Sequence, residues 1–184
     1  MPTRHPACPR PATTGRRTLL ALALAALGAM AMPAPAATLR VPLDQPDLAA
    51  AIAAAADGDT IAVAASHVTT GGVTVPGRPL VILGGWNADY TAVVGSSVIT
   101  AAADGASLAV APPGTGSPTI ADFTIAPGPG QARSQPLPGR YGGGVLVEGG
   151  APALVDLVIE GADVDSASEL GCGGAIALID AEAT

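Results

Sequence analysis

The sequence contains no lysine, and its positive charge comes from eight arginines set against 15 acidic residues. Four of the arginines fall within the first 37 residues, so the rest of the chain carries a balance of 4 − 15 = −11. An acidic surface repels phosphate backbones, which argues against nucleic-acid binding. A phosphate-cradling loop also needs its lysine, so a nucleotide site of that kind is excluded.

Cysteine and aromatic residues are equally scarce. After residue 37 the only cysteine is Cys172, so no internal disulfide can form. We interpret this thiol as a small buried apolar side chain, while pairing with another chain stays open. The aromatic residues are one Trp, two Tyr and one Phe, which leaves few side chains for a sugar-binding platform.

The first 37 residues have the layout of a secretory signal peptide. A positive head contains Arg4, Arg10, Arg16 and Arg17. The uncharged run Leu19–Met32 has 14 residues, which as a helix would rise about 21 Å and is too short to span a membrane. A small-x-small motif then offers cleavage after Ala36 or Ala37. We predict an exported protein, secreted or at the cell surface, with no transmembrane span in the mature chain.

The export route stays open between the general secretory and twin-arginine pathways, since Gly15–Leu20 resembles a twin-arginine signal. A helix is predicted next, over about residues 46–56, with Asp44 as its cap. Its apolar stripe contains Leu48, Ala51, Ile52 and Ala55. Asp57-Gly58 then ends the helix, because glycine adopts the left-handed conformation that a helix stop needs.

After Asp59 the chain consists of short strings rich in Val, Ile, Leu and Thr, punctuated by Gly, Pro, Asp and Asn, which predicts strands. The strings repeat. Ser117–Ile125 aligns with Ala151–Ile159 at an offset of 34, and Gly143–Val147 aligns with Gly173–Ala177 at an offset of 30. Internal repetition favours a stacked solenoid over a sandwich. The aspartate shared by the first pair predicts a sharp bend between two sheets.

Three features together resemble the start of secreted right-handed parallel β-helix proteins of the pectin-lyase-like fold, as found on bacterial surfaces. They are Leu48–Val63, a helix followed by Gly-Asp-Thr and an apolar strand; Val81–Tyr90, a Gly-Gly-Trp segment with a later aromatic; and the Ser-Pro-Thr-Ile and Gly-Gly-Gly-Val strings. The resemblance implies an all-β right-handed parallel β-helix over residues 38–184, with the helix at about 46–56 capping its N-terminal end. Because 179–184 does not resemble a cap, we expect the β-helix to be incomplete at its C-terminus.

No catalytic or cofactor-binding residue is predicted. Ser107 lies in a near miss to G-x-S-x-G without the helix that a nucleophile elbow requires, and His67 lacks a visible partner motif. Asp163, Asp165 and Glu169 gather carboxylates on one loop. They are the metal candidates, with calcium as the ion they would take; a solvated acidic loop is the favoured interpretation.

The sequence therefore favours a non-enzymatic scaffold or adhesin-like passenger at the cell surface. Its expected partners are extracellular polysaccharide or other surface proteins. The alternative, implied by the resemblance, is a truncated carbohydrate-active β-helix enzyme, either a polysaccharide lyase or a glycoside hydrolase. Such lyases use calcium, clustered acids and a basic proton acceptor, and the four remaining arginines are too basic for that role. Catalytic residues would then lie in later coils.

Overall fold

The computed structural model describes residues 35–100, 102–134, 138–161, 171–172 and 174–181, which belong almost entirely to a compact unit, Ala36–Thr184. One helix and fourteen strands follow in chain order: β1 Thr38–Val41, α1 Leu48–Ala54, β2 Thr60–Ala64, β3 Val68–Thr69, β4 Val73–Gly77, β5 Val81–Trp86, β6 Ser97–Ile99, β7 Leu108–Pro113, β8 Thr119–Ile125, β9 Gln131–Arg133, β10 Gly139–Tyr141, β11 Val145–Gly150, β12 Ala153–Ile159, β13 Gly171–Cys172 and β14 Ile176–Ala181. The prediction of an all-β protein with one early helix is confirmed.

The strands pair in three parallel columns, in the order in which the chain reaches them. The first column contains β1, β2, β5 and the first halves of β8 and β12. The second contains β3, β6 and the second halves of β8 and β12. The third contains β4, β7, β11 and β14. This parallel arrangement is compatible with a β-helix-like solenoid, because each circuit of the chain adds one strand to each column.

Strands β8 and β12 pass from the first column to the second through an aspartate. Asp122 and Asp156 have φ angles of 63° and 48°, in the left-handed region. Aspartate tolerates this region better than most residues. The predicted bend at the repeated aspartate is therefore confirmed. On β5 the corresponding position is Gly84, where a Cβ atom would lie 2.2 Å from the carbonyl oxygen of Asp122.

The predicted alignments set the register correctly in one column and wrongly in another. Thr119 pairs with Ala153 and Ile125 with Ile159, which is the predicted offset of 34. On β11, however, Val145 pairs with Ile176, an offset of 31 (176 − 145), so the predicted offset of 30 is wrong. A one-residue slip would turn Ala175 rather than Ile176 toward the position stacked on Val145, and pairing follows the apolar side chains.

The columns enclose one apolar core. Its fully buried side chains include Phe123, Ile61, Ile82, Ile120 and Val145. On α1, Leu48, Ala51 and Ile52 are buried in the same cluster, as the predicted apolar stripe requires. Burial of such side chains contributes about 1.5–3 kcal/mol each.

The helix is shorter than predicted and has a different cap. It begins at Leu48, and the Asp47 carboxylate accepts a hydrogen bond from the amide of Ala50 at 2.8 Å. Asp44, the predicted cap, instead accepts two hydrogen bonds from the guanidinium of Arg40, at 2.8 and 3.0 Å. That bidentate pair keeps Asp44 on the loop after β1.

An insertion between β8 and β11 contains an antiparallel pair of strands. Strand β9 pairs antiparallel with β10, and β10 pairs parallel with β13. Tyr141 from β10 and Ala106 form a second small cluster with Leu146 and Ala177 on the outer face of the third column. Within the part of the chain that the structure describes, no helix is long and apolar enough to cross a membrane.

Candidate functional site

The predicted metal ligands cannot be placed, since Asp163, Asp165 and Glu169 lie outside the described residues. Among the residues that are described, no group of three or more His, Cys, Asp or Glu side chains is arranged to hold a metal ion. The calcium hypothesis for the 163–169 loop therefore stays a prediction.

Ser107 serves the fold. Its side chain is fully buried. The hydroxyl donates to the carbonyl of Ala126 at 2.7 Å and accepts from the amide of Ala102 at 3.3 Å. The bond to Ala102 stays within the turn that leads into β7, and the bond to Ala126 joins that turn to the residue that follows β8. A hydroxyl held in this way is not presented to a substrate, which agrees with the near miss in its sequence motif.

Ser97 has the same function, which the sequence analysis missed. It is fully buried at the start of β6. Its hydroxyl accepts from the amide of Gly85 at 2.9 Å and lies 2.9 Å from the carbonyl of Ala64 and 3.1 Å from that of Val63. Gly85 lies on β5, the preceding strand of the same circuit, and Val63 and Ala64 belong to the circuit before it, so no local motif marks this serine.

His67 lies in the short connection between β2 and β3. Its backbone amide donates to the carbonyl of Ala64 at 2.9 Å. The Nε2 atom is buried and has no hydrogen-bond partner among the described residues. Among the described residues, no carboxylate forms an ion pair with His67. No acidic side chain is therefore placed to orient this imidazole as a general base.

The four arginines after residue 37 each contact a carboxylate. Arg40 binds Asp44, and Arg140 contacts Asp104 at 3.3 Å. The other two pairs are Arg78 with Asp57 and Arg133 with Glu148. Arg78 also donates from Nη2 to the carbonyl of Ile52 at 2.7 Å, which ties the end of α1 to the turn after β4. These cations hold loops in place.

The aromatic segment after β5 forms a loop fastened to the N-terminal strand. The carboxamide oxygen of Asn87 accepts from the amide of Thr91 at 2.9 Å. The hydroxyl of Tyr90 donates to the carbonyl of Val41 at 2.5 Å, and burial raises the pKa of that phenol. The guanidinium of Arg40 lies 6.0 Å from the centre of the Tyr90 ring, at the outer limit of a cation–π contact.

Apolar side chains on and beside this loop face solvent. Leu43, Val93 and Val94 are 62%, 47% and 66% exposed. We call this set the Leu43–Val94 surface. Leu43 follows β1, to which Tyr90 is bonded, and Val94 donates its amide to the carbonyl of Gly85 at 2.7 Å. Scattered apolar residues are ordinary on a surface, but several on fastened loops form a candidate contact region.

Asp59 is the buried carboxylate among the described residues, and backbone amides bind both of its oxygens. It is 7% exposed, and it follows Gly58, whose φ of 88° turns the chain out of the helix. One oxygen accepts from the amide of Ala37 and the other from the amide of Ala56, both at 2.7 Å. These bonds, the Ala37 bond first, lower the pKa of Asp59 despite its burial, and Arg78 lowers it further.

Asp122 and Asp156, the aspartates at the bends of β8 and β12, form the second carboxylate arrangement. Ala121 pairs with Val155 and Phe123 with Leu157, so Asp122 and Asp156 lie opposite each other on adjacent strands. Burial, and then the negative charge of Asp156, raise the pKa of Asp122. Strand β5 presents Gly84 to Asp122, and neither β5 nor β6 carries a charged residue. No described cation offsets this repulsion.

No protein-family model, no curated protein and no solved structure matches this chain.

Proposed function

We propose that the chain is an exported right-handed parallel β-helix that acts as a structural scaffold or adhesin-like passenger, with α1 as the lid of its N-terminal end. The three columns of parallel strands carry this proposal. A strand that returns to pair in parallel with an earlier strand does so by a right-handed crossover in about 98% of cases, which supports the handedness.

The position of α1 supports its role as a lid. Leu48, Ala51 and Ile52 are buried in the core cluster that also contains Val41 of β1 and Ile61 of β2. A solenoid must cover the apolar cross-section of its first circuit. The edge of β1 is the N-terminal edge of the first column, and Arg40 on this strand places a charge there, which discourages pairing with another chain.

The side chains that bear chemistry support a scaffold more than an enzyme. Ser97, Ser107 and Asp59 bind backbone groups inside the fold, and the four arginines contact carboxylates. A partner would therefore bind exposed side chains on the outer surface, including the Leu43–Val94 surface. A polysaccharide or another surface protein is the partner class for such a surface.

A polysaccharide panel tests the function. The full chain would be incubated with acidic and neutral polysaccharides, and unsaturated products and reducing ends would be followed. If the chain is a scaffold, neither unsaturated products nor new reducing ends should appear. If it is an adhesin, it should also be retained on polysaccharide beads or on cells. The doubly substituted Leu43→Ser/Val94→Ser variant would weaken such retention, whereas a matched Val68→Ser control on β3 would not. Release of products would favour the carbohydrate-active enzyme instead.

Cell fractionation tests export. Expression of the full chain should give a processed protein outside the cytoplasm, and intact mass would identify the new N-terminus. Arg16→Lys/Arg17→Lys would abolish export by the twin-arginine route and leave the general secretory route working, so this pair separates the two. Full-length protein retained in the cytoplasm would refute the export proposal.

A further inference from the structure

The backbone amide of Ala37 has an unusual partner for a residue at the start of a folded unit. It donates to the Asp59 carboxylate at 2.7 Å, across 22 positions of sequence. The carbonyl of Ala37 in turn accepts from the amide of Thr60 at 2.8 Å. Ala37 lies immediately before β1. Its amide is therefore bound by Asp59, and its carbonyl by Thr60 at the start of β2.

The peptide bond just before Ala37 is one of the two that the export signal offers for cleavage. Ala34-Pro35-Ala36 is a small-x-small triplet of the type that precedes such a cleavage site. The compact unit begins at Ala36, and Ala36 and Ala37 are exposed. Cleavage after Ala36 would leave the atom that already faces Asp59 as the first atom of the mature chain.

We propose that cleavage of the Ala36–Ala37 bond creates an α-ammonium group on Ala37 that forms an ion pair with the buried Asp59 carboxylate and fastens β1 to the first circuit. This inference rests on the proposed export, and the reaction is hydrolysis by a signal peptidase. The C–N bond breaks, water adds its hydroxyl to the carbonyl carbon of Ala36 and a hydrogen to the nitrogen of Ala37. The resulting carboxylic acid loses a proton and the amine gains one.

The environment of Asp59 favours this pair. The carboxylate is buried and bound to backbone amides before cleavage, so its desolvation cost is already present in the precursor. Ala37 is exposed, so the ammonium keeps part of its hydration. A hydrogen bond between two charged groups is roughly twice as strong as a neutral one. Arg78 is the cation that also lowers the pKa of Asp59, and it is shared with Asp57.

The absence of lysine makes the proposal directly measurable. With no lysine in the chain, the α-amine is the only primary amine before and after processing. The full chain would be exported, its intact mass determined, and its amine reductively methylated with carbon-13 formaldehyde. We expect a mature chain that begins at Ala37, with one methylated amine that titrates above the ordinary range of about 7.7–8.0. Labelling by an activated ester should be about tenfold slower in the folded chain than in urea, since opposite charge typically shifts such a group by one unit or more.

Variants separate the ion pair from general folding. Asp59→Asn should return the amine to its ordinary titration and restore fast labelling, whereas Asp57→Asn, in the same turn but outside the Ala37 contact, should not. If Asp59→Asn does not fold, the titration of the wild-type amine decides alone. Ala36→Tyr should block processing, because the cleavage position needs a small residue.

Each failure has its own signature. A chain outside the cytoplasm that begins at Thr38, or one that begins at Ala37 with an ordinary and fully reactive amine, would overturn the ion pair and leave export intact. A chain that is neither processed nor exported would overturn both proposals.

Discussion

Asp122→Asn is expected to stabilise the protein at neutral pH, because it removes a repulsion that the strand register imposes. Asp122 and Asp156 occupy opposite positions on β8 and β12, and adjacent strands lie about 4.8 Å apart. Asparagine also tolerates a positive φ, so the bend at 63° does not need to change. The substitution therefore alters charge with little change in shape.

The magnitude follows from Coulomb's law with a solvent discount. Two unit charges about 4.8 Å apart repel by about 1–2 kcal/mol at an effective dielectric constant of about 40–80. Asp156 is exposed and Asp122 only partly buried, so the lower end applies. We expect a gain of about 1 kcal/mol at pH 7, or about 3 °C in melting temperature. Adding Asp156→Asn to this variant should increase stability little further, because Asp122→Asn alone already removes the repulsion between the two carboxylates.

The pH dependence gives the sharper test. The pKa of Asp122 is raised in the folded protein, so the folded state holds its proton to a higher pH than the unfolded state does. The stability of the wild-type protein therefore falls as pH rises from the ordinary carboxyl value through the raised one. The advantage of Asp122→Asn should shrink as the pH is lowered across that window, and urea unfolding of both proteins would measure the difference.

Asp180→Asn is the matched control. Asp180 also has a positive φ, of 50°, but it faces Gly149, since Glu148 pairs with Ile179 and Gly150 with Ala181. The control should gain no pH-dependent stability. A loss of stability in Asp122→Asn at neutral pH, or an equal gain in Asp180→Asn, would refute the repulsion argument.

Three further outcomes follow. Asp59→Asn should cost about 2–3 kcal/mol, because both backbone amides lose a charged acceptor and one of them is left with no acceptor. The pKa of Asp59 is lowered in the folded protein, so the wild-type advantage is lost as the pH falls through the lowered pKa. Urea unfolding at pH 7 and pH 3 would show this loss. Ser97→Ala should cost about 1–3 kcal/mol by leaving a buried amide unpaired, whereas Ser96→Ala, at a less buried hydroxyl, should cost less in the same thermal melts. The double variant Thr124→Cys/Val158→Cys, in a background without native cysteines, should form a disulfide readily. These two residues are register partners, and partners on adjacent strands lie at disulfide distance. Equally fast disulfide formation after a one-residue shift of the second cysteine would contradict the register.

The parts of the fold that were predicted correctly depend on local signals. Asp122 and Asp156 were identified as bends because they recur at one place in a repeat and because aspartate suits a left-handed turn. The stripe that contains Leu48 and Ile52 is a pattern of helical period, and both side chains are buried. The strand pairing between β8 and β12 repeats an alignment that is visible in the sequence.

The parts that were missed depend on distant contacts. Strand β3 has two residues, Val68–Thr69, too few to show a period. The second alignment failed by one residue because it matched glycines, whereas the column aligns the apolar residues Val145 and Ile176. Asp59 could not be recognised as a coordinated carboxylate, since one of its donors lies 22 positions away.

The buried polar side chains serve the fold, which under the proposed scaffold function leaves the outer surface for a partner. Asp59, Thr69, Ser97 and Ser107 are the buried polar residues of the described chain. All but Thr69 accept hydrogen bonds from backbone amides, which lie at turns or, for the Gly85 amide, at the positive-φ bend of β5. Strands in parallel columns pair with one another, but the turns between columns leave amides that need another acceptor. Short polar side chains meet that need here, so their burial is explained by the architecture. Under the proposed function a partner would contact outward-facing groups, and substitution in the Leu43–Val94 surface should then affect binding without unfolding the chain.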